Sequence, residues 1–314
     1  MSELRFGAGA VLALDVGGTK IAGAVLDSRR QIIATGQVPT PASAGAPAVL
    51  DAMAGLVTQL RGKASEEILG LGLGAAGVID PANAQVASAT DTIAGWAGTD
   101  LRTELLARTG LPVRAVNDVH AHGLGEARAG AGRAAKQVLL FAVGTGIGGA
   151  HLVNGQLLSG AHHVAGHMGH VDSPLAAGLP CSCGRTGHVE AIASGPAIHR
   201  HYLRLGGDEG VLDTRELTAR AGQGDELARR ALQTGALAAG MALASLGNVL
   251  DPELIIVSGG MAGAGDLWWQ ALRAGYAASA IDPLAHTAIV PAQLGNDAAF
   301  YGAASLFWPA NERK

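Results

Sequence analysis

Residues 10–26 read AVLALDVGGTKIAGAVL, and the fold turns on how this stretch is read. Ala10 to Val16 is apolar and predicts a strand, Gly17-Gly18 a turn, and Ile21 to Leu26 a second strand. Two glycines between strands let the backbone approach a phosphate closely, with N–H groups pointing at it. Thr19 adds a hydroxyl, Lys20 a cation, and Asp15 a carboxylate placed to hold hydrated Mg²⁺. The spacing is not that of a Walker loop, and no helix follows the glycines at once. Taken alone, the stretch reads equally well as an ordinary Gly-Gly hairpin.

Working outward, the apolar run Gln31 to Thr35 makes the opening a three-stranded meander. Ala46 to Arg61 has helical apolar spacing, Ile68 to Ala75 predicts a strand, Leu101 to Thr109 a helix, and Val113 to Val116 a short strand. Residues 138–153, VLLFAVGTGIGGAHLV, then repeat the opening logic. Val138 to Val143 is a strand, Gly144-Thr145-Gly146 a turn, and Gly149 to Val153 a returning strand. Later, Leu254 to Val257 is a strand ending in Ser258-Gly259-Gly260. Two glycine turns of this kind form the halves of a triphosphate cradle, and the pair is far more specific than either turn. The fold expected is α/β, of the actin-like (ribonuclease H-like) ATPase type, with two domains and an active-site cleft between them. The predicted N-terminal domain is 1–116, with residues 297–314 packing back on it. The predicted C-terminal domain is 117–296 and carries a metal-binding insertion.

Composition agrees with two medium domains. The chain has 314 residues, 48% hydrophobic and 15% charged, so it can bury sizeable cores. Its net charge is −4, which offers no basic face for nucleic acid or an anionic membrane surface. Met1 to Val11 lacks the long apolar stretch of a signal peptide. Ala231 to Leu250 carries no charge, but Gln233, Thr234, Ser245 and Asn248 interrupt it, so a buried helix is expected rather than a membrane span. Cys181 and Cys183 stand too close for a usual structural disulfide and suit a metal site in a reducing compartment. A cytoplasmic location is the expectation.

Two further constellations carry chemistry. Asn117-Asp118 ends a predicted strand. A carboxylate there can take the proton of a sugar hydroxyl during phosphoryl transfer while the amide orients a neighbouring hydroxyl. The same pair also serves as plain turn chemistry. Between Gly166 and Glu190, His170, Cys181, Cys183 and His188 supply two imidazoles and two thiolates, the set a tetrahedral structural Zn²⁺ prefers. His162, His163 and His167 lie nearby, and some of these histidines read equally as exposed side chains.

With these motifs in hand, the chain resembles the ROK family of sugar kinases and repressors along essentially its whole length. Asp15 to Lys20 is similar to the family's first phosphate motif, Gly144 to Gly149 to its second, and Ser258-Gly259-Gly260 to its adenosine-side turn. Asn117-Asp118 with Gly125-Glu126 resembles the catalytic segment, which implies Asp118 as general base. Gly166 to Glu190 resembles the family signature, with His188 in place of its last cysteine. Most family kinases carry a Glu where this chain has His167. That replacement, with Glu190-Ala191-Ile192-Ala193-Ser194-Gly195 and the segment Ala221 to Glu226, is similar to a subgroup of bacterial N-acetylmannosamine kinases.

The resemblance implies ATP and Mg²⁺ as cofactors and a sugar lined by Gly77, Asn117, Asp118, His167, His170 and Glu190. His170 would serve both zinc and sugar. Asp15, Gly17, Gly18, Thr19, Lys20, Gly144, Thr145, Gly146, Gly259 and Gly260 would hold ATP and its phosphates. The loop Asp91 to Gly98, with Trp96 as packing anchor and Thr92 in place of a common Asn, is expected to close over the sugar. A homodimer is also implied. Glucokinase is the alternative activity, and a non-catalytic sugar sensor or repressor a weaker one. Only 14 residues precede Asp15, too few for the helix-turn-helix domain of family repressors.

Overall fold

The computed structural model describes residues 9–308. Residues 1–8, where a leader was sought, and 309–314, the end of the returning segment, lie outside them. The described chain divides into a first unit of residues 9–136, 150–166 and 293–308, and a second of residues 137–149 and 167–292.

In the first unit, β1 (Ala10–Val16), β2 (Lys20–Leu26) and β3 (Ile32–Pro39) form the antiparallel meander. Helix α1 (Ala46–Arg61), β4 (Ile68–Ala75), the hairpin of β5 (Val78–Asp80) and β6 (Gln85–Ser88), α2 (Leu101–Thr109), β7 (Val113–Asn117) and α3 (Asp118–Ala129) follow. The sheet order is β3-β2-β1-β4-β7, with β4 parallel to both β1 and β7. Side chains on β1 alternate between two cores. Leu12 and Leu14 join Val49, Met53, Leu56 and Leu60 of α1 beneath one face, while Val11 and Ala13 meet Phe300, Ala303 and Phe307 on the other. Beyond Leu69, which packs on the second core, β4 presents Gly70, Gly72 and Gly74 on its second face. A methyl added to Gly72 would collide with the Ala303 carbonyl, and one on Gly70 with the Phe307 ring. The period-2 Leu/Gly pattern of ILGLGLGA therefore builds a sheet with one greasy face and one bare face that admits helix backbone.

The second unit contains β8 (Gln137–Val143), the start of β9 (Ile147–Val153), α4 (Glu190–Ala193), α5 (Gly195–Arg204), α6 (Thr214–Gly222), α7 (Glu226–Leu250), β11 (Leu254–Ser258), α8 (Asp266–Ser279) and β12 (Ala288–Pro291). The short β10 (Gln156–Leu157) completes a second sheet of order β10-β9-β8-β11-β12, in which β11 runs parallel to β8 and β12. Helix α7 contains the uncharged stretch expected to be a buried helix. Asp225 caps it by accepting from the Leu227 and Ala228 N–H groups. Gly240 sits over the Leu272 carbonyl of α8 and Gly275 over the Leu237 carbonyl of α7, so the two helices approach through reciprocal glycines. No helix among the described residues is long and apolar enough to cross a membrane.

Helix α9 (Asp297–Ala304) returns to the first unit, against β1 and β4. Helix α3, which follows residue 117, packs with α9. Gly125 lies on the Ala298 carbonyl and Gly302 on the Ala121 carbonyl. Glu126, fully buried, accepts from the Gln293 and Leu294 N–H groups (2.9 and 2.7 Å) and from Ala131 N–H (2.9 Å). The first continuous segment consequently runs through α3 to residue 136.

Candidate active site

In the first unit the chemistry gathers at the carboxyl ends of the parallel strands, where open α/β sheets place ligands. Pairing sets Asp15 beside Gly74 and Ala75 beside Asn117. Burial lifts the Asp15 carboxyl to about 6, against the lowering pull of Lys20. The turn that follows is tied by Gly17 N–H to the Lys20 carbonyl (3.0 Å) and by the Thr40 hydroxyl to the Gly17 carbonyl (2.7 Å). Thr19 and Lys20 are exposed. Gly18 leaves room for the Thr92 methyl, which a side chain at 18 would displace.

Asp118 opens α3. Burial, the largest cause, raises its carboxyl above the ordinary range. The Val119 N–H opposes this, the Asp15 charge adds to it, and His122 and Asn117 oppose it. Asn117 caps α3, its oxygen accepting from Val119 N–H (3.0 Å) and His120 N–H (3.3 Å). Its Nδ2 donates to the Gly77 carbonyl (2.9 Å). Gly77 has φ +102 and would meet the Ser88 carbonyl through any side chain, so glycine is required there. Sequence reasoning expected the Asn117 amide to address a sugar. Here its oxygen and one N–H hold the protein's own backbone, the turn chemistry that was the competing reading. The loop 91–98 is fixed by buried Ile93 and Trp96, the latter donating from Nε1 to the Ala76 carbonyl (2.9 Å).

In the second unit, Gly144 and Thr145 open onto a cavity of about 560 Å³. Gly195, Pro196 and His199 of α5, the segment Leu212 to Arg215 with Thr218, and Gly260, Met261, Gly263 and Ala264 complete it. Gly144 N–H donates to the Gly146 carbonyl and Gly195 N–H to the Gly144 carbonyl, both at 2.9 Å, which fixes the turn at the start of α5. Gly259 has φ +83 and lies against the Val143 backbone, so only glycine closes this corner. Of the residues expected to hold ATP in this unit, Gly144, Thr145 and Gly260 line the cavity, while Gly146 and Gly259 shape its backbone. Pro196, His199, Asp213, Thr214 and Thr218 were not anticipated, since nothing in their local sequence marks them.

The four metal-ligand candidates are brought together. The ligand atoms of His170, Cys181, Cys183 and His188 all lie within 4.8 Å of one another. Cys181 Sγ is 3.5 Å from His170 Nδ1, and Cys183 Sγ is 3.2 Å from His188 Nδ1. The edge between sulfur and nitrogen in a tetrahedral zinc site is about 3.6 Å, given the usual bond lengths, so the set fits this metal. Cys181 N–H donates to the Arg185 carbonyl (2.7 Å) and Gly184 N–H to the Cys181 carbonyl (3.0 Å), which builds the tight loop that Cys-x-Cys spacing demands. His167 is exposed, with its ring centroid 6.2 Å from that of His170.

Glu190 stands between these parts. Its Oε2 accepts the Ile147 N–H of the glycine-rich turn (2.8 Å), and its Oε1 accepts from the Ser182 hydroxyl. A Cβ on Gly146 would stand 2.8 Å from Oε2, and one on Gly169 3.1 Å. The two glycines make the slot that the carboxylate fills.

The sequence model of the ROK family matches residues 11–309, nearly the whole chain. The chain belongs to the ROK family. Among ROK relatives, it is 34% identical to a glucokinase of Halalkalibacterium halodurans over 93% of this chain and 92% of that one. It is also 34% identical to an N-acetylmannosamine kinase of Escherichia coli O139:H28, over 94% and 97% of the two chains. The crystal structure of a ROK glucokinase from Streptomyces griseus, in complex with glucose and AMPPNP, superposes with a TM-score of 0.79 at 32% identity, covering 95% of this chain and 99% of that one. The two α/β units are accordingly those of the actin-like ATPase fold.

Proposed function

We propose that this ROK sugar kinase transfers the γ-phosphoryl group of ATP to the 6-hydroxyl of N-acetylmannosamine, with Asp118 as general base. The observation that carries the reaction is the buried Asp118 carboxyl at the start of α3, its proton affinity raised above that of an ordinary carboxylate. A base accepts a hydroxyl proton better as its pKa approaches working pH, provided it stays ionised there. Gly77, Asn117, Asp118, His167, His170 and Glu190 are assigned to the sugar, with Asn117 keeping its second N–H for a hydroxyl. Gly144, Thr145, Gly146, Gly259 and Gly260 are assigned to the nucleotide, and Asp15, Gly17, Gly18, Thr19 and Lys20 to the phosphates. Mg²⁺, when bound, neutralises charge on the transferring phosphoryl oxygens, and Asp15 is the carboxylate to hold its water shell. His170, Cys181, Cys183 and His188 are assigned to a structural Zn²⁺, His170 through Nδ1, which leaves Nε2 for the sugar. A homodimer belongs to the same proposal and rests on the family resemblance.

The substrate rests on His167. An imidazole cannot accept two hydroxyl hydrogen bonds as a carboxylate does, so it suits a sugar bearing a different group at that place. The second reading is glucokinase, favoured by a glucokinase relative at the same 34% identity. ADP release with Mg-ATP is to be measured across N-acetylmannosamine, N-acetylglucosamine, glucose, mannose and fructose. A clear preference for N-acetylmannosamine is expected. A preference for glucose would keep the mechanism and overturn the reading of His167, and no turnover on any sugar would overturn the kinase.

A further inference from the structure

Ser182 lies between two metal-ligand candidates, Cys181 and Cys183, and its hydroxyl donates to Glu190 Oε1, with Cys181 Sγ 4.0 Å from the hydroxyl and 3.8 Å from that carboxylate oxygen. The other oxygen of the same carboxylate holds the Ile147 N–H at 2.8 Å. Ile147 follows Gly144-Thr145-Gly146, whose first two residues open onto the 560 Å³ cavity. The far end of the turn is held by Gly195 N–H on the Gly144 carbonyl. The turn is thus clamped at both ends, by α5 on one side and by Glu190 on the other. The terminal torsion of a glutamate is broad, so its carboxylate turns unless both oxygens are engaged. Ser182 engages the second one at close range, and Cys181 Sγ stands further off at 3.8 Å.

We propose that Ser182 is a positioning residue for nucleotide binding. Its hydroxyl locks the Glu190 carboxylate onto the Gly146-Ile147 turn and so joins the Cys/His loop to the nucleotide cavity. This rests on the kinase reading of that cavity. With Ser182 in place, the backbone N–H groups of the turn stay fixed for phosphate, and a nucleotide binds without first ordering them. Hydrogen bonds to charged groups are among the stronger ones, and a positioning contact transmits a part of that strength. An approximately fivefold effect on affinity is the expected size.

The test is AMPPNP affinity of the sugar-free, metal-loaded protein by titration calorimetry, with zinc content measured alongside. Ser182→Ala should bind AMPPNP about fivefold more weakly with metal content unchanged, and Ser182→Thr should restore affinity. In a Glu190→Ala background, adding Ser182→Ala should cost nothing further, because the path runs through that carboxylate. Unchanged affinity in Ser182→Ala, or additive losses in the double variant, would overturn the proposal. If the unaltered protein takes up no AMPPNP, the kinase reading fails instead, and this link with it.

Discussion

Two carboxylates in the first unit are held above their ordinary proton affinity, with opposite consequences for the molecule. For Asp118 the ionised form does the work, so kcat/KM should fall as pH drops through a limb lying above about 4, the usual carboxylate value. Asp118→Asn should abolish that limb and lower turnover by roughly 10²-fold or more. It should not lower the melting temperature, since it removes a carboxylate that burial disfavours in its ionised form. Near-normal turnover in that variant would remove Asp118 from the mechanism. Asp15 acts on stability. Its folded pKa of about 6 exceeds the ordinary value of 3.8, so its proton stabilises the fold below 3.8 and that contribution is lost as pH rises through 6. At pH 7.5 without ligand, Asp15→Asn should raise stability by up to about 3 kcal/mol, a gain absent near pH 4, while weakening Mg-ATP binding. Chemical melts at the two pH values check the sign, and a destabilised variant at pH 7.5 would refute the burial argument. Asp15 and Asp118 were both singled out in the sequence, because each is a carboxylate at the end of a predicted apolar strand. The bond from Ser182 to Glu190 was not, since it depends on a side-chain orientation that spacing does not encode.

At the scale of elements, the glycines of β4 and those of α7, α8 and α9 explain how closely helices approach. Gly72 faces the Ala303 carbonyl, so Gly72→Ala should destabilise by at least the 1–3 kcal/mol usual for overpacking. A methyl placed on Gly55 in α1 would meet nothing within 4 Å, so Gly55→Ala should stabilise by roughly 0.5–1 kcal/mol. Denaturant melts of the pair check both, and equal effects of one sign would refute the packing account. Strands β1, β2 and β4 and helix α1 were legible because period and punctuation agree locally: two residues for strands, glycine for turns, an apolar stripe for the helix. Asn117-Asp118 was read as the end of a strand, but neither helix α3 that follows nor its packing on α9 was, since α9 lies about 170 residues further on. The cavity assigned to nucleotide was marked in the sequence only where glycine turns touch it. Its remaining walls come from α5 and residues 212–218, ordinary helix and loop sequence that acquires meaning only when folded together.

For the whole molecule, the two units have separate hydrophobic cores. One is built on Leu12, Leu14 and α1, the other on Leu139, Phe141, Ile255, Trp268 and α7. The cavity assigned to nucleotide is lined wholly by residues of the second unit. A ligand that binds only the folded form stabilises it by RT ln(1 + [L]/Kd), about 2.7 kcal/mol at a hundredfold excess over Kd. AMPPNP at that excess, without sugar, should therefore slow hydrogen exchange first in β8, α5, α7 and β11. The amides of α1, α2 and β3 should change far less, because the nucleotide is assigned to reach the first unit only through the Asp15–Lys20 turn at the end of β1, away from that core. Exchange measured by mass spectrometry on the full chain separates the outcomes. Protection confined to the second unit and the Asp15–Lys20 turn would mean that nucleotide stabilises one core and leaves the other free to open. Equal protection in both would mean that the cores open as a single cooperative body, and the separate-core account would fall.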